Sequence, residues 1–477
     1  MTSDDLSLAV VDLGSTLAKG GLYSLDGSCR LSTSLPVEVY ANGASFEHDP
    51  HALLETVEAL LARLQEAGPL SAIGVTCQRS TCLLWEQSNG RALTPAISWQ
   101  DGSAADVVER LALHAPEVAS RSGLHLSPHY AAPKLSRLLS SQPGLRRRAE
   151  AGEVVAGTLD AFLMHHLTGE PSTEGGHAGR TLLYNLEADA WDPTLCHLFE
   201  IPRAALPRLR PSIGFRGQWQ GLPVTAVAGD QQAALLAQGG WEEGVTAAHF
   251  GTGAFVLAGT GDQLRRHPGL LSAVVASSSS DRHFQLEGAV NSAGSAMDWI
   301  SGETGLGPEE WGQRPLEPER LPRVLPALAG LGTPWWRPEI RTVVQETGAH
   351  TSPRELADGV LVGVAMRVVD CFETLAASGA AAEVFRLSGK LTRCRALVDL
   401  IANLTQIPVE VSAEEEPGLA GIARLAAVGL EPDSTSLSGG TPVSYTRDPE
   451  WPFDRAQSAR ADWHTFVSEI LRKGVGA

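Results

Sequence analysis

The sequence predicts an α/β protein with a duplicated fold and two facing halves, on three observations. A short apolar run ending in a small, glycine-bearing turn occurs at Leu8–Val11 before Gly14-Ser-Thr16, and again about half a chain later at Thr246–Phe250 before Gly251-Thr-Gly253. Runs of strand length alternate with stretches of helical period. The 477 residues, 43% hydrophobic and 19% charged, suffice for two or three domains with large cores.

The first element, Leu8-Ala-Val-Val11, runs into Asp12-Leu-Gly-Ser-Thr16 and is followed by Gly20–Leu25 and the turn pair Asp26-Gly27, which reads as a hairpin extended by a third strand. Asp49-Pro50 then opens a helix: Asp caps it, Pro suits its first position, and Leu53, Leu54, Val57, Leu60, Leu61 and Leu64 recur at helical spacing up to Gly68. The strand Ala72–Thr76 delivers Gln78, Arg79 and Ser80 to its C-terminal end, where ligands sit in open α/β sheets. In the second half, Ala254–Ala258 follows the second glycine turn, and Gly259-Thr-Gly-Asp262 turns the chain again. The stretch 316–338, rich in Pro and Gly, reads as an ordered loop because it carries Leu325, Leu328, Leu331, Trp335 and Trp336. A long helix from about Arg354 to Ala377 precedes the strand Val384–Leu387, which Ser388-Gly389 ends, and a second helix runs from Arg393 to about Leu404.

Composition excludes several function classes. With 37 Lys plus Arg against 55 Asp plus Glu, the formal charge is −18 and no basic run offsets it, so nucleic acid and anionic membrane surfaces are not expected partners. The cluster Glu414-Glu415-Glu416 reads as a solvated loop without a role. Six cysteines, at 29, 77, 82, 196, 371 and 394, show no CxxC pair or zinc-ligand spacing, which fits reduced thiols in a cytoplasm. The acidic start Met-Thr-Ser-Asp-Asp is unlike a signal peptide, and no run approaches 18 apolar residues.

Phosphoryl transfer needs turns whose backbone N–H groups face phosphate oxygens, carboxylates that hold Mg²⁺, and a base beside the acceptor hydroxyl. Gly14-Ser-Thr16 and Gly251-Thr-Gly253 offer the turns; either alone fits a hairpin that needs glycine only for its conformation, and together at equivalent places they say more. Asp12, at the end of an apolar strand, is a costly choice without a cation beside it. Asp230, before Gln-Gln-Ala-Ala-Leu-Leu, reads equally as a helix N-cap and as a base.

The chain resembles the FGGY carbohydrate kinases, and within them the glycerol kinases, over nearly its whole length. The resemblance is carried by Asp12-Leu-Gly-Ser-Thr-Leu-Ala-Lys19, Gly74-Val-Thr-Cys-Gln-Arg79, Ile97-Ser-Trp-Gln-Asp101, Gly157-Thr-Leu-Asp160, Ala228-Gly-Asp-Gln-Gln-Ala-Ala234, Phe250-Gly-Thr-Gly253, Glu287-Gly-Ala-Val290 and Gly330-Leu-Gly-Thr-Pro-Trp335, in the family's order. It implies two ribonuclease-H-like, actin-like domains with a cleft between them, divided as 1–240 (acceptor pocket, first phosphate loop) and 241–477 (second phosphate loop, nucleotide site). It also implies ATP with Mg²⁺ as donor and a hydroxyl of a small sugar or polyol as acceptor, and leaves room for a homodimer. Residue by residue, the resemblance gives Asp230 as general base, Gln231 as the neighbour holding the acceptor, and Arg79, Ser80, Trp99, Asp101 and His129 in the acceptor pocket. Asp12 orients the metal; Gly14, Ser15, Thr16, Lys19, Gly251, Thr252, Gly294, Gly389 and Lys390 fall to ATP.

Departures from the pattern shape the expectation. Where glycerol kinases follow Gln-Arg with Glu this chain has Ser80, and their pocket Tyr falls on His129, which reads equally as a surface or packing histidine. The family's Gly-Gly plus Asn near the nucleotide becomes Ser388-Gly389-Lys390 with Cys394. The expected function is thus phosphorylation of a small sugar or polyol other than glycerol, with Lys390 turned towards the phosphates. The alternatives are a catalytically weak or silent relative acting as a carbohydrate- and nucleotide-binding protein, and a chaperone-like or cytoskeletal ATPase, which the pocket residues disfavour.

Overall fold

The computed structural model describes residues 6–240, 243–345, 351–380, 382–431 and 442–473; the acidic start and the residues just after position 240 lie outside them. Two mixed sheets repeat one plan. In the first, Ser7–Leu13 pairs antiparallel with Leu17–Ser24, which pairs with Cys29–Pro36, while on its other side Ser7–Leu13 runs parallel to Ala72–Cys77 and that strand parallel to Leu222–Gly229. In the second, Val245–Phe250 pairs antiparallel with Ala254–Gly259, which pairs with Arg282–Val290, and on its other side runs parallel to Val384–Gly389 and then Val409–Ser412. The duplication expected from the two glycine turns is therefore a repeat of strand order. Between Cys77 and Leu222 the first half inserts helices and the strands Cys82–Glu86, Ala96–Ile97 and Val154–Thr158, which join Tyr40–Asn42 and Ser45–His48 in a five-stranded sheet.

Local chemistry explains the elements. The helix Pro50–Ala67 is capped by Asp49, whose side chain accepts from His51 N, and stops at Gly68. The helix Pro353–Ala377 opens on a capping box of Ser352 and Glu355. The strand Ser7–Leu13 is an unbroken apolar run because both its faces are buried: Ala9, Val11 and Leu13 pack against Pro50–Ala67, whereas Leu8 and Val10 join a second core on the opposite face. The strand expected to end at Leu387 continues to Gly389, and a 3-10 turn, Lys390–Arg393, separates it from the helix Arg395–Thr405.

Two helices connect the halves. Asp230–Ala237 leaves the last parallel strand of the first sheet, and Pro417–Leu430 leaves its counterpart in the second sheet yet packs on the first sheet and along Asp230–Ala237. A Cβ on Gly421 would lie 1.7 Å from Ala233 O, and one on Gly74 3.1 Å from Ile422 O, so these glycines set how closely the crossing helix approaches. The core there mixes Ala226, Ala228 and Leu235 with Ala247, Leu257, Val275 and Ile422.

The helix Phe453–Lys473 closes the second half with Trp463, Phe466 and Val467 in its core. His464 Nε2 lies 3.2 Å from Glu373 Oε2 and 3.4 Å from Asp370 Oδ1. Hydrogen bonds to Asp370 and Glu373 raise its pKa to about 10. A raised folded-state value makes this contribution complete below the ordinary imidazole range and lost as pH rises through about 10. His464 is half exposed, so solvent screening holds the effect to about 1 kcal/mol. The gap in thermal midpoint between wild type and His464→Gln should be widest near about pH 6 and close above about pH 10; a gap independent of pH would mean that packing, not charge, holds the contact.

Candidate active site

The C-terminal ends of the two central parallel strands of the first sheet meet strands of the second sheet in a cluster of opposite charges. Arg79 follows the strand Ala72–Cys77, and Asp230 is the first residue of the helix that follows Leu222–Gly229. The helix takes Gly229 as N-cap with no side-chain cap, and Asp230 Oδ1 accepts from Gln231 N at 2.8 Å and pairs with Arg79 Nε at 3.3 Å. The capping alternative for Asp230 is therefore not realised. Gln231 Oε1 is buried without a partner among the described residues.

Arg79 Nη1 donates to Glu287 Oε2 at 3.1 Å, Arg180 pairs with the same oxygen, and the Arg79 guanidinium lies 5.8 Å from the ring centre of Phe255. Burial pushes the Glu287 carboxyl up, but Arg180 and Arg79 outweigh it and hold it below the usual range. Glu287 belongs to the second sheet and both arginines to the first half, so this cluster joins the halves. Arg180, Phe255 and Glu287 as a site residue escaped the sequence reading; Glu287 alone had a signal, a carboxylate inside the apolar strand 282–290.

The remaining acceptor-pocket residues divide. Trp99 is exposed, and its Nε1 donates to Ser15 Oγ at 2.8 Å while Ser15 Oγ donates to Gln78 Oε1 at 2.9 Å. The Ser15 hydroxyl, in a turn expected to serve phosphate, is thus engaged by Trp99 and Gln78. His129 Nδ1 lies 3.2 Å from Trp99 O, on the exposed rim. Ser80 is buried at φ 65° and donates to Arg180 O at 3.3 Å, and its carbonyl accepts from Lys134 Nζ at 3.2 Å. Asp101 does not join the group: fully buried, it accepts from Phe46 N at 2.9 Å and from Ser103 N at 2.9 Å and Oγ at 2.6 Å, which makes it a tie between loops.

Asp12 ends its strand against the N-terminus of the crossing helix, where a Cβ on Gly418 would lie 2.7 Å from its Oδ2. Its Oδ1 is buried without a partner among the described residues. Burial first, then the charge of Asp230, raises its pKa to about 7; Lys19 opposes this and Glu416 adds to it. The orphaned oxygen of Asp12 is one anionic ligand for a hard divalent cation, and the Asp230 and Glu416 charges that act on it favour a cation there, so Asp12 fits Mg²⁺ as a single carboxylate ligand. Lys19, expected on a phosphate, forms an ion pair with Glu416, which corrects the reading of 414–416 as a solvated loop without a role.

The two glycine turns present exposed tips at Thr16 and at Gly251-Thr252. The helix Gly294–Thr304 starts on the second: Gly294 N donates to Gly251 O at 3.1 Å and Ser295 N to Thr252 O at 2.9 Å. A Cβ on Gly294 would lie 2.4 Å from Gly251 O, so its part is close approach, its own N–H being already taken. Gly389, at φ 97°, backs the same turn, since a Cβ there would lie 2.2 Å from Phe250 O. Lys390 is exposed and has no ion pair among the described residues. His249 was also missed: its Nδ1 is 3.0 Å from Ser388 Oγ, burial lowers its pKa, and the Asp230 charge acts on it.

Comparisons with known proteins give a family and a fold. A profile of the FGGY family of carbohydrate kinases, N-terminal domain, matches residues 7–237, and one of the C-terminal domain matches 246–430. A glycerol kinase of Geobacter sp. (strain M21) is 35% identical over 98% of this chain and 99% of its own. The crystal structure of Plasmodium falciparum glycerol kinase with ADP superposes with a TM-score of 0.90 at 22% identity, covering 98% of each chain. A ligand-bound xylulose kinase from Lactobacillus acidophilus gives 0.87 at 19% identity, covering 97% of each.

Proposed function

Since the chain belongs to the FGGY family of carbohydrate kinases, phosphotransferases that use ATP and Mg²⁺ to phosphorylate a hydroxyl of a sugar or polyol, we propose that its acceptor is a small polyol or sugar longer than glycerol. The observation that carries this is the position after Arg79. Ser80 there is uncharged and its hydroxyl is directed at Arg180 O, so no side-chain carboxylate follows Arg79 to hold a short triol. The comparisons with glycerol kinases favour glycerol, and a kinetic panel decides between the two. Four- and five-carbon polyols, ketopentoses and sugar acids are compared with glycerol by kcat/KM; glycerol as the best substrate overturns the proposal.

In this reading residues 1–240 hold the acceptor and 241–477 the nucleotide. Asp230 accepts the proton of the acceptor hydroxyl as the new O–P bond forms, a contribution of about 10²–10⁴-fold. Arg79 fixes that carboxylate, and Gln231 takes a second hydroxyl on its unpaired Oε1. Asp12 would hold Mg²⁺, which when bound would supply neutralisation of phosphate charge. The main-chain turns at Gly14–Thr16 and Gly251–Gly253 take the phosphates from opposite walls.

Lys390 stands where the resemblance calls for glycine. Its exposed ammonium can turn onto a bound phosphate, an attraction of about 1 kcal/mol in a water-rich surrounding. Calorimetry should accordingly show ATP binding to Lys390→Gly about fivefold more weakly than to wild type. Tighter binding by the variant would mark the side chain as an obstruction.

A further inference from the structure

Behind the Asp230 cluster lies a fully buried imidazole that the transfer reaction does not employ. His177 Nε2 is 3.2 Å from Ala228 O and 3.6 Å from Cys77 Sγ. Those two residues stand at the ends of the parallel strands Leu222–Gly229 and Ala72–Cys77, which pair through Gly229 and Cys77. Asp230 is two residues beyond Ala228, and Arg79 two beyond Cys77. On the other side of the ring, Nδ1 faces Asp160 Oδ1 at 3.6 Å. Neither atom has a hydrogen bond within normal distance among the described residues, whereas Asp160 Oδ2 accepts from Thr173 Oγ1 at 2.7 Å.

The protons follow from the partners. A carbonyl only accepts, so the contact with Ala228 O requires an N–H at Nε2. On its other side the ring meets the Asp160 carboxyl at 3.6 Å, within electrostatic reach but beyond a hydrogen bond. The ring thus lies between a carboxyl group on the helix Leu159–Thr168 and the strand end that leads to Asp230.

We propose that His177 is a positioning residue, which donates to the Ala228 carbonyl, is oriented by the facing Asp160 carboxyl, and so fixes the strand ends that present Asp230 and Arg79. The inference rests on the reading of Asp230 as the base. A displacement of about 1 Å at a reacting group can cost about 10²-fold in rate without weakening substrate binding, which separates this role from a purely structural one.

Three variants test it. His177→Leu removes both contacts, His177→Gln retains an N–H donor for Ala228 O, and Asp160→Asn removes the charge that anchors the ring. The leucine variant should lose about tenfold in kcat with both KM values within about twofold of wild type, and the glutamine variant should recover most of that loss. Asp160→Asn should lower kcat about threefold or more, again at constant KM, and carries the test with His177→Gln should the leucine variant not fold. A leucine or asparagine variant with wild-type kcat overturns the proposal, as does a glutamine variant no better than leucine at equal thermal midpoint. Asp230→Asn measured alongside separates the two readings: full activity in that variant defeats the base itself, whereas loss there with an intact His177→Leu defeats only the positioning role.

Discussion

Asp230→Asn is expected to lower kcat by about 10²-fold or more while leaving the acceptor KM nearly unchanged. The carboxylate oxygen Oδ1 receives Gln231 N at 2.8 Å and Arg79 Nε at 3.3 Å, and the amide oxygen of Asn can receive both donors, so shape and local hydrogen bonding survive. What is lost is the capacity to take a proton from the attacking hydroxyl. Helix stability is little affected, because Gly229 rather than Asp230 is the N-cap. Steady-state kinetics at saturating ATP and acceptor provide the measurement; an unchanged kcat would remove Asp230 from its role.

Glu287→Gln should lower the free energy of unfolding by about 3 kcal/mol and kcat/KM by more than about 10²-fold. The side chain is 1% exposed and is shared by Arg79 and Arg180, themselves 9% and 3% exposed. Removing one partner of a buried pair leaves an uncompensated charge, which is costlier than the pair is stabilising. Asp230 still balances Arg79 in the variant, so the cost falls mainly on Arg180. Because the carboxylate comes from the second sheet and the guanidiniums from the first half, the loss also loosens the contact that holds the two walls of the site together. Urea titration and acceptor kinetics read the two effects separately. A loss of stability below about 0.5 kcal/mol would show that other groups neutralise the arginines.

The sequence by itself determined the local elements and the residues presented at their ends. Glycine turns after apolar runs marked Gly14–Thr16 and Gly251–Gly253, Asp49-Pro50 and Gly68 bounded the first long helix, and Arg79 and Asp230 stood at strand ends where α/β sheets bind ligands. Such features depend on neighbours a few positions away, through backbone sterics, capping and side-chain period, so a linear reading reaches them. Only the tertiary structure decided the long-range partnerships. Arg79 meets Glu287 across 208 positions and Lys19 meets Glu416 across 397, and no local rule selects one carboxylate among the 55 acidic residues. Asp101 looked like a pocket residue until its oxygens were found on Phe46 and Ser103. The crossing of Pro417–Leu430 onto the first sheet brought Gly418 against Asp12, and contacts as close as Gly421 on Ala233 arise only when two helices pack. Pairing of buried charges is decided by which strand ends the packed cores bring together, and that is a property of the whole chain.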